Sequence, residues 1–280
     1  MASVSNNNIR DAFEHFREEL DEHNDRRERL IKASRDITNV SKRTIFLLHR
    51  LVQDANTNNS DEYISACKNA AKQGRDKLQQ VNEIYTGLKE DLIDEERFWR
   101  YHRQVSPGLQ EYIEALSFAH FLEHGTLITS REVQQTLMNA DGQAGGCSMR
   151  LVCLKMADRV AIDMQFFPLT TSDYLLGISD LTGELMRYAI SGFGRLGGRS
   201  RANEVCSFVR NCKADLERFT PYVWELNKKQ MVTAQSLTKI EDAAYAVAIR
   251  TSEYDLSPDQ LDQFVDNFLA TYSEDKGRDS

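Results

Sequence analysis

Proline is scarce in this chain, with 4 among 280 residues, and glycine contributes only 14. So few breakers disfavour a collagen-like or loop-dominated architecture and leave room for long helices. Cysteine supplies no framework. Cys67, Cys147, Cys153, Cys206 and Cys212 make an odd set of 5 without C-x-x-C spacing, which argues against a disulfide scaffold or a thiolate zinc knuckle. No apolar run approaches the roughly 20 residues that a bilayer span needs. Residues 1–8 are polar, unlike the basic-then-apolar start of an export signal. The expectation is a cytoplasmic chain with no membrane contact. Positive charge is also short: 35 basic against 43 acidic residues leave a formal charge of −8. A protein that holds nucleic acid alone presents a basic surface, so a nucleic-acid role here requires metal ions or a basic partner.

What is present is helical periodicity. Phe13, Phe16, Leu20, Leu30, Ile37, Ile45, Leu48 and Leu51 recur at helix spacing with no proline or glycine between them, which predicts one very long helix over residues 13–52. An Asn-rich loop at 54–61 precedes a second long helix over 63–99. Ser106 and Pro107 resemble a helix start and Gly125 a stop, giving a third helix over 107–124. Thr129 or Ser130 with Glu132 caps a short helix to about Met138. Residues 141–168 hold three glycines and partly alternating apolar residues, the texture of a loop or hairpin. A fifth helix, capped by Thr171, Ser172 or Asp173, runs to about Ile190 and ends in the glycine-rich stretch 191–200. Two more helices follow, from about Arg201 and on to about Arg250, divided by Pro221. The expected fold is therefore all-α, a single domain of about seven helices over residues 11–255. It is flanked by a flexible N-terminus at 1–10 and by a short helix and charged tail at 256–280.

Four acids stand out on this frame. Glu111 and Glu114, three apart on the third helix, share a side with Ala115, Phe118 and Leu122. Asp180 and Glu184, four apart on the fifth, project together beside Gly177 and Gly183, whose lack of a side chain admits close approach. Carboxylates on an apolar stripe must be protonated, paired with bases or bound to a cation. Two such helices packed face to face would build an all-oxygen pocket for magnesium or manganese, a site suited to phosphodiester cleavage. Spacing alone favours ordinary ion pairs, for instance Glu184 with Arg187, because acids three or four apart are common on helices. Three other motifs compete. His120-Phe121-Leu122-Glu123-His124 matches the H-x-x-E-H of inverted zinc peptidases, yet Gly125 ends the helix at once and no third ligand announces itself. Gly192 to Gly197 matches GxGxxG but follows a helix rather than a strand. Lys32, Arg35, Asn39, Lys42 and His49, with Arg43 and Arg50 beside them, form a mostly basic strip on the first helix. It is either an RNA-contacting surface or a solvated face.

The segments from Ser34 to Thr38, Ser41 to Arg50, Gly108 to Phe118 and Asp173 to Arg187, with Lys239 to Arg250 behind them, resemble the translin family and, more narrowly, its trax branch. The likeness runs in order from about residue 12 to 253. It implies a translin-like helical bundle that assembles with translin into a hollow hetero-octamer. In that assembly the trax-type subunit is a magnesium-dependent endoribonuclease for single-stranded or nicked RNA, including passenger strands in the RNA-silencing machinery and pieces of transfer RNA. Glu111, Glu114 and Asp180 match the family's catalytic positions, with Glu184 as a fourth metal ligand, and translin supplies much of the RNA-binding surface. Single-stranded DNA stays open as a substrate. The basic nuclear-targeting cluster of some relatives is missing, leaving only Arg26, Arg27 and Arg29 in acidic surroundings, so cytoplasmic placement is expected and nuclear entry is left open. The alternatives are a non-catalytic scaffold that stabilises translin and, behind it, the zinc peptidase of His120 and His124.

Overall fold

Seven helices, with further helical residues at 260–261, 263–265 and 267, make up the regular structure of the residues that the computed structural model describes, which are 2–55, 59–92, 94–138, 168–192, 198–253 and those last six. They are α1 (Ala2–Asp54), α2 (Ser60–Gly87), α3 (Glu95–His124), α4 (Ser130–Met138), α5 (Thr171–Ser191), α6 (Gly198–Glu217) and α7 (Leu226–Glu253). The all-α expectation holds, and the proposed hairpin at 141–168 lies almost wholly outside the described residues. No helix among the described residues is long and apolar enough to cross a membrane. Cys67, Cys206 and Cys212 are free thiols.

α1 carries 53 residues, about 80 Å of helix at 1.5 Å per residue. Leu30, Ile37, Ile45, Leu48 and Val52 bury one face of it against α3 and α2, while Phe13, Phe16 and Leu20 lie exposed. Helical spacing reports the helix from residue 13 onward, whereas α1 itself starts at Ala2, within the stretch expected to be a flexible N-terminus; burial begins only where a neighbour exists. α3 and α5 form the centre. α3 packs on α1, α2 and α5, and α5 packs in turn on α6 and α7.

Two close approaches set the spacing of these helices. A Cβ on Gly108 would stand 2.7 Å from the Ser34 carbonyl oxygen of α1, and the Gly108 N–H donates to Ser34 Oγ at 3.0 Å. A Cβ on Gly177 of α5 would stand 2.7 Å from Ile113 Cβ of α3. Both distances are shorter than side chains tolerate, so the three backbones meet as they do because these residues have no side chain.

The largest departure from the periodicity reading concerns α3. It starts at Glu95 and runs through Pro107, whereas α2 stops at Gly87. Asp91 accepts from Arg26 and Arg29 and pins the connecting turn to α1. Ser106 and Gln110 both donate to Asp173 of α5, so the turn of α3 around Pro107 is held by tertiary hydrogen bonds despite the lost N–H. At the head of α5 the cap is Thr170, one residue earlier than expected, and its Oγ1 accepts from the Asp173 N–H at 3.1 Å. The capping box on α4 is as the spacing suggests: Thr129 N–H donates to Glu132 Oε2 at 2.7 Å and Glu132 N–H to Thr129 Oγ1 at 3.2 Å.

Candidate functional site

The contact of α3 with α5 at Gly177 brings the two acidic pairs to one place. Glu111, Glu114, Asp180 and Glu184 line a single cleft of about 480 Å³, together with Lys42 and Phe46 of α1, Gly183 and Arg187 of α5, and Lys229 and Val232 of α7. The helical periodicity explains the arrangement. On α5, Ile178, Leu181 and Leu185 turn into the core, which leaves Asp180 and Glu184 on the cleft side. On α3, Tyr112, Ile113, Ala115 and Phe118 are buried and Glu111 and Glu114 remain at the edge of that packing. Nothing stands within 4 Å of the position a Cβ would take on Gly183, so the cleft floor is open there.

Three of the four acids have bases beside them. Glu111 Oε1 lies 3.1 Å from Lys42 Nζ. Glu184 Oε2 lies 2.6 Å from His49 Nε2 and 3.0 Å from Arg187, and Asp180 is bonded to the Lys229 ammonium. Glu114 has no hydrogen-bond or ion-pair partner among the described residues. Burial first, and then the negative charge of Asp180, Glu111 and Glu184, push its carboxyl from the ordinary 4.5 up to about 9, with Lys229 pulling the other way. Burial also lifts the Asp180 carboxyl, while Lys229 and Lys42 hold it back.

An unpartnered, partly buried carboxyl facing three other acids is the donor set that a hard divalent cation takes. As the side chains stand, however, no three acidic, histidine or cysteine groups among the described residues converge closely enough to ligate one ion. Asp180 is turned to Lys229, Glu111 to Lys42 and Glu184 to His49 and Arg187. The pairing of Glu184 with Arg187 that spacing favoured is therefore present, inside the same cleft as the other three acids.

The basic strip divides. Lys32, Arg35, Asn39, Lys42, Arg43 and Arg50 are exposed along α1, and Lys42 reaches the cleft itself. His49 does not belong with them. It is 6% exposed, its ring lies on Phe118 at a centroid distance of 4.6 Å, and its Nε2 is spent on Glu184. A side chain buried this way positions Glu184 and has no access to a phosphate. The zinc arrangement fares no better. His120 and His124 stand with ring centroids 4.6 Å apart, but Glu123 is bound by Arg75 and His120 Nε2 meets Thr126 Oγ1 at 3.1 Å.

Two residues escaped the pattern reading. Lys229 lies between Leu226 and Thr233 on the buried face of α7, so a lysine at a core-facing register was the available signal. Asp173 is 1% exposed and accepts from His102, Ser106, Gln110 and Thr170. Those bonds outweigh its desolvation and hold its carboxyl below the usual aspartate range. Spacing marked it only as a helix cap.

The sequence matches the Translin family over residues 25–251. It is 38% identical over 245 residues to Translin-associated protein X of Rattus norvegicus, covering 86% of this chain and 79% of that protein. It is 27% identical over 255 residues to the Translin-associated protein X homolog of Schizosaccharomyces pombe, covering 88% of this chain and 90% of that one. A solved structure of apo-NeC3PO shares the fold with a TM-score of 0.50 over 82% of this chain and 94% of that chain, at 16% identity.

Proposed function

The chain belongs to the translin family, and from that premise we propose that it is the cleaving subunit of an RNA-processing complex formed with translin. The reaction is divalent-cation-dependent hydrolysis of phosphodiester bonds in single-stranded or nicked RNA. The observation that carries the reading is the Glu114 carboxyl, left without a partner among three further acids in a cleft of about 480 Å³. The similarity to translin-associated protein X supports the partner. The formal charge of −8 fits a subunit that relies on another chain for much of its RNA-binding surface.

Glu111, Glu114, Asp180 and Glu184 are the residues that would hold magnesium or manganese. Held there, such an ion would supply Lewis acidity, lowering the pKa of water and neutralising charge on the phosphoryl oxygens. The rest is done by the chain itself. His49 and Arg187 fix the orientation of Glu184. Lys42 and Arg187, both more than half exposed at the cleft, are the cations that would meet phosphate oxygens of the strand. Phe46, 65% exposed on the same cleft, offers a ring face on which an unpaired base can stack, which favours single strands over duplex. A carboxylate of the set accepts the proton of the attacking water. The exposed basic residues Lys32, Arg35, Arg43 and Arg50 continue the path along α1.

A second reading has a specific observation behind it. Three acids already hold bases and, among the described residues, no three acidic, histidine or cysteine groups converge on one ion, which is what a non-catalytic scaffold stabilising translin would show. Alanine at Glu114 or Asp180 separates the two. In the assembled complex each substitution abolishes cleavage of single-stranded RNA while assembly, followed by size-exclusion chromatography, is retained. Undiminished cleavage by the variants establishes the scaffold reading instead, and cleavage that persists in excess chelator supports a scaffold or a metal-free reaction.

A further inference from the structure

Lys229 reaches the acid cleft from the first turns of α7, with a side chain only 22% exposed. Its ammonium donates to Asp180 Oδ2, to Gln110 Oε1 at 3.2 Å and to the Leu176 carbonyl at 3.4 Å. An ammonium has three N–H groups, and here each has an oxygen. Those oxygens come from α3 and α5, the helices that carry the four acids. Lys42 and Arg187 are different: each meets a single acid of the cleft, Glu111 and Glu184, and stands 55% and 52% exposed.

A partly buried ammonium among oxygen ligands occupies the place that a hard cation seeks, and the two compete because both need the same carboxylate. We propose that Lys229 is the resident counter-ion of the cleft, and that a divalent cation enters by displacing its ammonium from Asp180. The inference rests on the reading that this cleft takes a divalent cation. It accounts for the geometry: Asp180 is directed at Lys229 in place of converging with the other acids on one ion. Lys229 also ties α7 to α5, so cation entry exchanges one clasp on Asp180 for another. Lys229 acts through Asp180, as a positioning residue.

Manganese titrated into the full-length chain and followed by calorimetry tests the exchange. Removing a competitor and a partly buried positive charge makes Lys229→Met bind Mn²⁺ about tenfold more tightly than the unsubstituted chain, about 1.4 kcal/mol. Lys42→Met, which removes an exposed and screened charge from the same cleft, shifts affinity less than about twofold. Equal shifts in the two variants, or unchanged or weaker binding by Lys229→Met, overturn the proposal. A second measurement needs no variant. Reductive methylation of the unsubstituted chain, read by mass spectrometry, modifies Lys229 several-fold more in Mg²⁺ than in chelator if the ammonium is released. Unchanged or reduced labelling overturns the exchange even where the substituted chain fails to fold. An unsubstituted chain that binds no Mn²⁺ at all removes the cation reading of the cleft itself, whereas binding that ignores Lys229 removes this inference alone.

Discussion

Replacing Glu114 with glutamine takes away a charge that the cation-free protein does not carry at neutral pH. The folded chain holds this carboxyl at about 9 against an ordinary 4.5. The folded state therefore keeps a proton that the unfolded chain releases, and stability is greatest below about pH 4.5 and is lost as pH rises toward 9. The limiting slope is about 1.4 kcal/mol per pH unit. With a discount for water at the cleft mouth, the loss attributable to Glu114 is about 2–3 kcal/mol between about pH 5.5 and 8.5. Glutamine keeps the shape and cannot ionise, so its stability curve lacks that component. Urea unfolding of both proteins in chelator, at several pH values, isolates it as a difference in which every other titrating group cancels. A second consequence concerns the proposed cation, which would hold the carboxylate ionised and so expel its proton on binding. Calorimetry near neutral pH, in buffers of different ionisation enthalpy, gives a release of about one proton in the unsubstituted chain and less in Glu114→Gln. Parallel stability curves across the pH range would refute the assignment of Glu114 as the unpartnered acid of the cleft.

Gly177→Ala forces a Cβ to within 2.7 Å of Ile113 and so parts α3 from α5; a loss of about 1–3 kcal/mol in urea unfolding, with weakened Mn²⁺ binding, is expected. Asp173→Ala strips the acceptor from His102, Ser106, Gln110 and Thr170 and costs about 3–5 kcal/mol in the same assay. Because the folded pKa of Asp173 is lowered, the stability it adds is present above the ordinary aspartate range and disappears as pH falls through the folded value, the opposite sign to Glu114. Lys32→Glu combined with Arg35→Glu, both exposed on α1, weakens RNA binding by the assembled complex and lowers the salt dependence of binding by about one to two units in log–log slope. An unchanged salt slope would show that RNA does not follow this strip.

The helices were legible because periodicity and caps are local. Thr129 with Glu132 caps α4 as the spacing requires, and the four acids fall on the sides that a helical wheel assigns. Pro107 misled because its local preference for a helix start is overridden by bonds to Asp173, a residue 66 positions away that no pattern connects to it. His49 misled in the same manner. Spacing placed it with Lys42 on a basic strip, and only the packing of α1 on α3 turns it onto Phe118 and Glu184. The partners of the acids were the least visible part. Lys229 reaches Asp180 from a helix 49 residues further on, and which oxygen it meets is a property of three helices packed together.

The central claim is that oxygens from α3 and α5 jointly seat a divalent cation. Anomalous diffraction from crystals of the translin-containing complex soaked in Mn²⁺ tests it most directly. The account predicts a manganese peak in the cleft between Glu114 and Asp180, with Glu111 and Glu184 in the surrounding shell and the Lys229 ammonium withdrawn. Full manganese occupancy elsewhere with an empty cleft, and Asp180 still bonded to Lys229, would contradict it.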